Sequence, residues 1–421
     1  MIYAFILGRV YTLSLAELIE VLQKKDITFV IRAISKEAVI IETEQSLDFE
    51  QLQRELGGTV KIAKVLDVLK KRERDSVNFA LQNYFKPSTL KKDYFKEYVG
   101  KKQFGLSVYL LNPMVQALGE PRRLGMFIKK SLQVSGISLR AVLPEFNALS
   151  LPSVNVTKNS LLQKGAEICV FADIDRIFVG KTLAVQDFED YGRRDYQRPV
   201  RDEKQGMIPP KVAQIMLNFS GAAKNANILD PFCGVGTILQ EGILLGYKVY
   251  GADINQTAIF NSEKNLEWFR NRYKVAPGKY FLETADVKDI SKVFKEPKFG
   301  AVVTEGTLGP MYSELPREHQ IEANFAQLKD IWKASFEEFK KMLKPGGTVV
   351  ICLPAYRLSE KDYKMFPSID FITDLGYTII DHFPAKVKEI SPFLKVTGRN
   401  SIIYDRKDQI VAREILTFKS N

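Results

Sequence analysis

The chain has 421 residues, 45% of them hydrophobic and 26% charged, which is enough apolar content for two or three packed domains. Three cysteines without a CxxC spacing and two histidines, His319 and His382, exclude a Cys/His zinc site and a disulfide framework, as a reducing cytoplasm would favour. The net charge is +11, and no apolar run reaches the ~18 residues of a membrane span.

In chain order, residues 2–9 are apolar without a basic leader or small-residue cleavage site. They predict a first strand rather than a signal peptide. Helix-like spacing follows at 13–24, strand-like runs at 28–33 and 38–43, and a helix at 49–56 stopped by Gly57-Gly58. A strand at 60–65 closes a small α+β region, residues 1–75. Residues 76–185 repeat the style, with a strand at 104–110, a helix at 123–135 and strands near 168–171 and 177–185. The polar, turn-rich stretch 186–210 reads as a linker. From 211 to 421 helices and strands alternate, the pattern of a doubly wound α/β sheet. The expected strands are 227–229, 248–252, 281–283, 301–304 and 348–352, with helices at 212–219, 238–245 and 325–343. Residues 377–383 and 401–404 are expected to end the sheet as an antiparallel pair.

Residues 61–140 hold 17 Lys and Arg against 6 Asp and Glu, which accounts for the whole net charge of the chain. A domain-sized basic field beside a neutral one points to a polyanion. Within it Tyr84, Phe85, Tyr94, Phe95, Tyr98 and Phe104 interleave with Lys86, Lys91, Lys92, Lys96, Lys101 and Lys102. Two readings are open: rings that stack bases among phosphate-binding lysines, or core rings beneath a solvated face.

The strongest local signal is Asp230-Pro231-Phe232-Cys233-Gly234-Val235-Gly236-Thr237. Gly234 and Gly236 allow a tight turn and close approach of a ligand, and the helix that follows offers free N–H groups. Asp253, 17 residues after Gly236 at the end of the next strand, can accept both hydroxyls of a ribose. Leu239 stands where a dinucleotide fingerprint needs its third glycine. Gly180-Lys181-Thr182 is not a P-loop, because Asp175 replaces the first glycine. The bland alternative is a structural turn in an α/β domain that binds another nucleotide. Cys233, lacking a basic partner nearby, reads as small-residue packing rather than a nucleophile.

The 230–237 stretch resembles motif I of class I methyltransferases, in the form found in RNA methyltransferases that carry a THUMP domain, especially the tRNA guanine-N2 methyltransferases. Arg194-Asp195, Arg198-Pro199 and 206–213 resemble the segment before motif I, and 151–165 resembles the end of a THUMP domain. The resemblance implies a C-terminal Rossmann-like sheet behind an N-terminal α+β region, ferredoxin-like (1–75) plus THUMP-like (76–185), that holds RNA. It implies S-adenosyl-L-methionine as cofactor, bound by the turn Asp230, Pro231, Phe232, Gly234, Gly236 and Thr237. Gly234 and Gly236 would lie near its methionine part, Asp253 on its ribose and Asp286 near its adenine. No metal is implied, and the partner is RNA, tRNA above all.

The sequence departs from that family at the catalytic motif, where Asp/Asn-Pro-Pro-Tyr/Phe is usual. Here Val303-Thr304 leads into Glu305-Gly306-Thr307-Leu308. Glu305 is the expected catalytic residue, accepting an amine N–H, while Gly306 predicts a loose loop and Tyr312 or Phe232 the missing stacking ring. Two rivals remain: an RNA-binding protein that keeps the fold without the activity, and a DNA amino-methyltransferase. Arg193, Arg194 and Arg198 are equally compatible with RNA contacts and with tying down the linker.

Overall fold

The computed structural model describes residues 1–71, 76–95, 102–115, 121–201, 207–359, 362–406 and 409–421. Lys96, Tyr98, Lys101 and Gly206, invoked above, lie outside these residues. The chain forms two compact units. One comprises residues 1–15, 25–188 and 389–393, and the other 16–24, 189–388 and 394–421.

The first unit is built on one eight-stranded sheet. Its strands are β1 (Ile2–Leu7), β2 (Val30–Ile34), β3 (Ala38–Glu42), β4 (Thr59–Lys70), β5 (Lys102–Leu110), β6 (Leu139–Val142), β7 (Gly165–Ala172) and β8 (Arg176–Val185). Their order is β2-β3-β1-β4-β8-β7-β5-β6. A boundary at 75/76 was expected from the sequence. Instead β4 runs to Lys70 and pairs along Lys61–Lys70 with β8, so the ladder continues through both segments. Hydrogen bonding across β4 and β8 satisfies backbone groups that two separate sheets would leave at their edges.

The aromatic–basic segment resolves in favour of the core. Phe85, Tyr94, Phe95 and Phe104 are buried at 2% exposure or less, packed with Leu124, Ile128 and Leu132. Lys86, Lys91 and Lys92 face solvent. The helix Pro121–Val134 has the same division. Its buried positions Leu124, Gly125, Ile128 and Leu132 recur at helical spacing, while Arg122, Arg123 and Lys130 are exposed. These lysines and arginines form a solvated face, and Phe85, Tyr94, Phe95 and Phe104 are not available to stack bases.

The second unit carries a nine-stranded sheet. Its strands are β9 (Asn227–Asp230), β10 (Lys248–Asp253), β11 (Tyr280–Thr284), β12 (Phe299–Thr304), β13 (Leu343–Arg357), β14 (Tyr363–Met365), β15 (Tyr377–Ile379), β16 (Ile402–Tyr404) and β17 (Val411–Ser420). The order β11-β10-β9-β12-β13-β17-β15 is a doubly wound, Rossmann-like arrangement. β9 to β13 are parallel, and β17 inserts antiparallel to β13. Winding reverses between β9 and β12, so the carboxyl ends of these two neighbours part and leave a crevice. The expected pairing of 377–383 with 401–404 does not form. β15 and β16 each pair with β17, a strand the sequence reading passed over.

The expected linker is also ordered in its first half, with a helix over Phe188–Tyr196. Arg194 is buried and paired with Glu241 and Asp190. Arg198 donates to the Thr237 hydroxyl at 2.6 Å. These two arginines hold the segment within its own unit, which settles their role against RNA contact. No described helix is long and apolar enough to cross a membrane.

Candidate functional site

The crevice at the ends of β9 and β12 is a cavity of about 780 Å³, within the size range of small-molecule and cofactor sites. Strand ends deliver its acids. Asp230 ends β9, Asp253 ends β10, Asp286 follows β11 and Glu305 follows β12. Among the described residues the lining holds these four carboxylates and one lysine, Lys288. Such a wall favours a ligand with positive charge.

The turn after β9 is folded by its own backbone. Gly236 N–H donates to the Cys233 carbonyl at 2.8 Å, and Cys233 N–H donates to the Ala252 carbonyl at 2.9 Å. Gly234 N–H donates to Asp253 Oδ2 at 3.1 Å, and Asn255 N–H to Asp253 Oδ1 at 2.9 Å. Asp253 is thereby fixed at the cavity wall. The two glycines serve different needs. At Gly234 φ is +52°, and a Cβ there would meet no atom within 4 Å, so the requirement is conformational. At Gly236 φ is +84°, and a Cβ would come within 2.5 Å of Ser262 Oγ. Gly236 lets the turn press against the helix Gln256–Tyr273, and it is absent from the cavity lining. Of the nine residues singled out in the sequence, the other eight line this one cavity: Asp230, Pro231, Phe232, Gly234, Thr237, Asp253, Asp286 and Glu305. The helix Thr237–Leu244 starts without a side-chain cap, which suits an anionic group near its N–H groups.

Asp230 is 1% exposed and accepts from Phe232 N–H and from the Thr304 hydroxyl. Burial, aided by the charges of Asp253 and Glu305, raises its pKa to about 7 against the pull of those two donors. The folded state thus binds a proton more tightly than the unfolded chain, so stability is lost as pH rises from the ordinary carboxylate value through about 7. Asp230→Asn removes this titration. Its melting temperature minus that of the wild type is expected to grow by several degrees between pH 5 and pH 8, read by scanning calorimetry at roughly half-unit steps. A constant difference across that range contradicts the assignment.

The loop after β12 is not loose. Gly306 N–H donates to Thr304 Oγ1 at 3.1 Å, and Asn324 Nδ2 donates to the Leu308 carbonyl at 3.1 Å. Gly306 has φ of +67° against the Trp332 indole, where a Cβ would stand 2.4 Å from the ring. Proline cannot adopt that φ, so this loop has its own conformation rather than that of the double-proline motif. Tyr312 packs edge-on to Tyr356 at 6.0 Å, partly buried against the core and outside the cavity lining. Phe232 lines the cavity, with its ring 5.5 Å from that of Trp332, and remains the candidate.

Glu305 is one-fifth exposed. It accepts from Arg413 Nε at 2.5 Å and from the Ile208 backbone N–H. Burial raises its pKa, and Arg413 opposes that shift. The sequence reading missed both partners. Met207 and Ile208, just before the helix Pro210–Phe219, also belong to the cavity wall. Arg413 could have been noticed as part of a charged pair, Arg413-Glu414, inside the apolar run 410–418. Such charges in a strand must find partners, and Glu414 finds Arg399 on the opposite side of β17. Among the described residues, no group of three or more His, Cys, Asp or Glu could hold a metal ion.

Residues 198–369 match the family described as RMKL-like, methyltransferase domain. A tRNA (guanine(10)-N2)-dimethyltransferase of Pyrococcus abyssi is 27% identical over 195 residues, 46% of this chain and 49% of that protein. A tRNA (guanine(10)-N2)-dimethyltransferase of Methanothermobacter thermautotrophicus is 29% identical over 185 residues, 43% of this chain and 48% of that protein. The chain thus spans about half the length of the curated relatives it matches. TrmN from Thermus thermophilus superposes over the full length of both chains with a TM-score of 0.56 at 13% identity, a likeness of fold.

Proposed function

We propose that this chain transfers a methyl group from S-adenosyl-L-methionine to an exocyclic base amine in RNA, guanine N2 of a tRNA being the favoured target, in the cytoplasm. The observation that carries this reading is the acidic cavity at the switch point, with Asp253 fixed on one wall and Glu305 on another. The similarity to the Pyrococcus abyssi tRNA (guanine(10)-N2)-dimethyltransferase supports the choice of substrate. The solvated basic face of the first unit supports an RNA partner, and a THUMP-like role for residues 76–185 belongs to the same proposal.

The donor set fits the cofactor. Asp253 presents a carboxylate for ribose hydroxyls, Gly234 leaves open space beside the turn, and four carboxylates suit a ligand bearing a sulfonium and an ammonium. The cofactor, when bound, supplies an activated methyl group on a neutral leaving group. Glu305 accepts an amine N–H and aims the nitrogen lone pair, and Phe232 offers a ring face to the base. Glu305 or water would take up the surplus proton of the methylated amine.

Calorimetry with S-adenosyl-L-methionine, followed by radiolabelled transfer to total tRNA and nucleoside mass spectrometry, tests the reading. Binding is expected, with label in N2-methylated guanosine. Asp253→Ala should weaken cofactor binding by roughly 10–100-fold, the loss of hydrogen bonds to a charged acceptor. An unchanged dissociation constant sinks the assignment of Asp253. One observation favours a second reading. The loop Glu305-Gly306-Thr307-Leu308 lacks the usual prolines and ring, as an RNA-binding protein without transferase activity would allow. Cofactor binding without label in any RNA would establish that reading instead.

A further inference from the structure

Arg413 lies in the middle of a sheet and is only 2% exposed. On β17 it stands opposite Pro354 of β13 and Tyr404 of β16. Removing a guanidinium from water is costly unless its charge and N–H groups are matched. Its Nε donates to Glu305 Oε1, and its Nη1 donates to Gln409 Oε1 at 2.7 Å. It does not line the cavity, whereas Glu305 does. Glu305 is therefore gripped from behind by Arg413 and from the side by the Ile208 N–H. A carboxylate has about four acceptor positions, so these two donors leave others for a ligand.

We propose that Arg413 is a positioning residue for Glu305: it anchors one carboxylate oxygen in the sheet so that the remaining lone pairs face an amine N–H in the cavity. The inference rests on the methyl-transfer reading of Glu305 given above. In this chain a strand-borne guanidinium does the stiffening that two prolines would do in the usual motif, where Gly306 with φ of +67° has no ring to offer. Arg413 also opposes the effect of burial on Glu305. The other charged or titratable groups acting there are Asp230 from β9, Cys352 from β13, and Arg406 between β16 and β17, while Tyr404 of β16 acts on Arg413 itself. Loss of Arg413 removes the largest of the groups that oppose burial at Glu305, leaving the Ile208 N–H and Arg406 against burial and the Asp230 charge, so the balance moves toward the protonated acid.

The test uses the full chain with ¹³C-labelled glutamate, the Glu305 signal being assigned by its absence in Glu305→Gln. In Arg413→Gln the Glu305 titration is expected to move up by about 1–3 pH units. The acid limb of kcat on tRNA should move with it and kcat at pH 7 should fall roughly 100-fold. KM for tRNA and the cofactor dissociation constant should stay within about threefold, because uniform binding is untouched. Arg413→Lys keeps the charge but not the planar fork. It is expected to keep the titration near that of the wild type yet lose about tenfold in kcat. A folded Arg413→Gln with an unmoved Glu305 titration, or with kcat within twofold of the wild type, overturns the proposal. If that variant does not fold, Arg413→Lys decides alone, and unchanged kcat overturns it. Should the wild type methylate no RNA, the functional reading falls, while the titration still supports or refutes the grip of Arg413 on Glu305.

Discussion

Replacing Lys61 with methionine is expected to destabilise the first unit by about 3–5 kcal/mol, the usual consequence of stripping one partner from a buried ion pair. Lys61 is 1% exposed on β4, and its ammonium donates to Glu167 Oε1 at 2.5 Å, to the Leu151 carbonyl at 2.7 Å and to the Tyr109 hydroxyl at 3.3 Å. Glu167, on β7 and fully buried, also accepts from Ser107 at 2.6 Å and Thr182 at 2.5 Å. The cluster joins β4, β5, β7 and β8 from within. Methionine fills the volume of the lysine stem, so the loss isolates the charge: a carboxylate left in a dry interior with only hydroxyl donors. For a unit of this size the unfolding transition should fall by roughly 2–4 °C per kcal/mol in scanning calorimetry, with faster amide exchange in β4 and β7. The double variant Lys61→Met/Glu167→Leu should recover most of the loss, because a buried pair replaced by apolar groups is close to neutral. If the single variant melts within 2 °C of the wild type, the ion pair does not support this sheet.

That cluster also marks how far the sequence alone could be read. The turn 230–237 and the acid at 253 were legible, because glycine placement, a strand end and a helix start are settled within a few residues of each other. The eight-stranded sheet was not. The β4 to β8 ladder joins residues more than 100 positions apart, and nothing local in 60–70 or 176–185 announces that partner. The aromatic–basic stretch was ambiguous for the same reason. Phe85 and Phe104 face a core whose other wall is the helix Pro121–Val134, and only that packing decides which way the rings turn. Around the candidate site the division repeats. Glu305 stood out through the family resemblance, as the acid standing where the catalytic motif begins after a strand. The arginine that holds it comes from β17, 108 residues later, and was not associated with it.

Glu305→Ala is expected to lower kcat for RNA methylation by roughly 10²–10⁴-fold, the range for loss of a positioned proton acceptor. The cofactor dissociation constant should change by less than about threefold, since Asp253 and the turn after β9 stay intact. A neutral amine is a poor nucleophile while its lone pair is shared with the base ring, and an acceptor on its N–H localises that pair only if held still. Glu305 is held by Arg413 and the Ile208 N–H, and Gly306 behind it is pinned by Thr304 and the Trp332 ring. The loop that looked too slack for this task is therefore rigid by another route. Because alanine also takes the Glu305 carboxylate away from Arg413, melting of the variant must be followed beside single-turnover rates at about 25 °C. A folded variant that transfers methyl groups at the wild-type rate removes Glu305 from the chemistry. The buried acid of the cavity would then be Asp230, brought to about 7 by its burial with the nearby charges of Asp253 and Glu305.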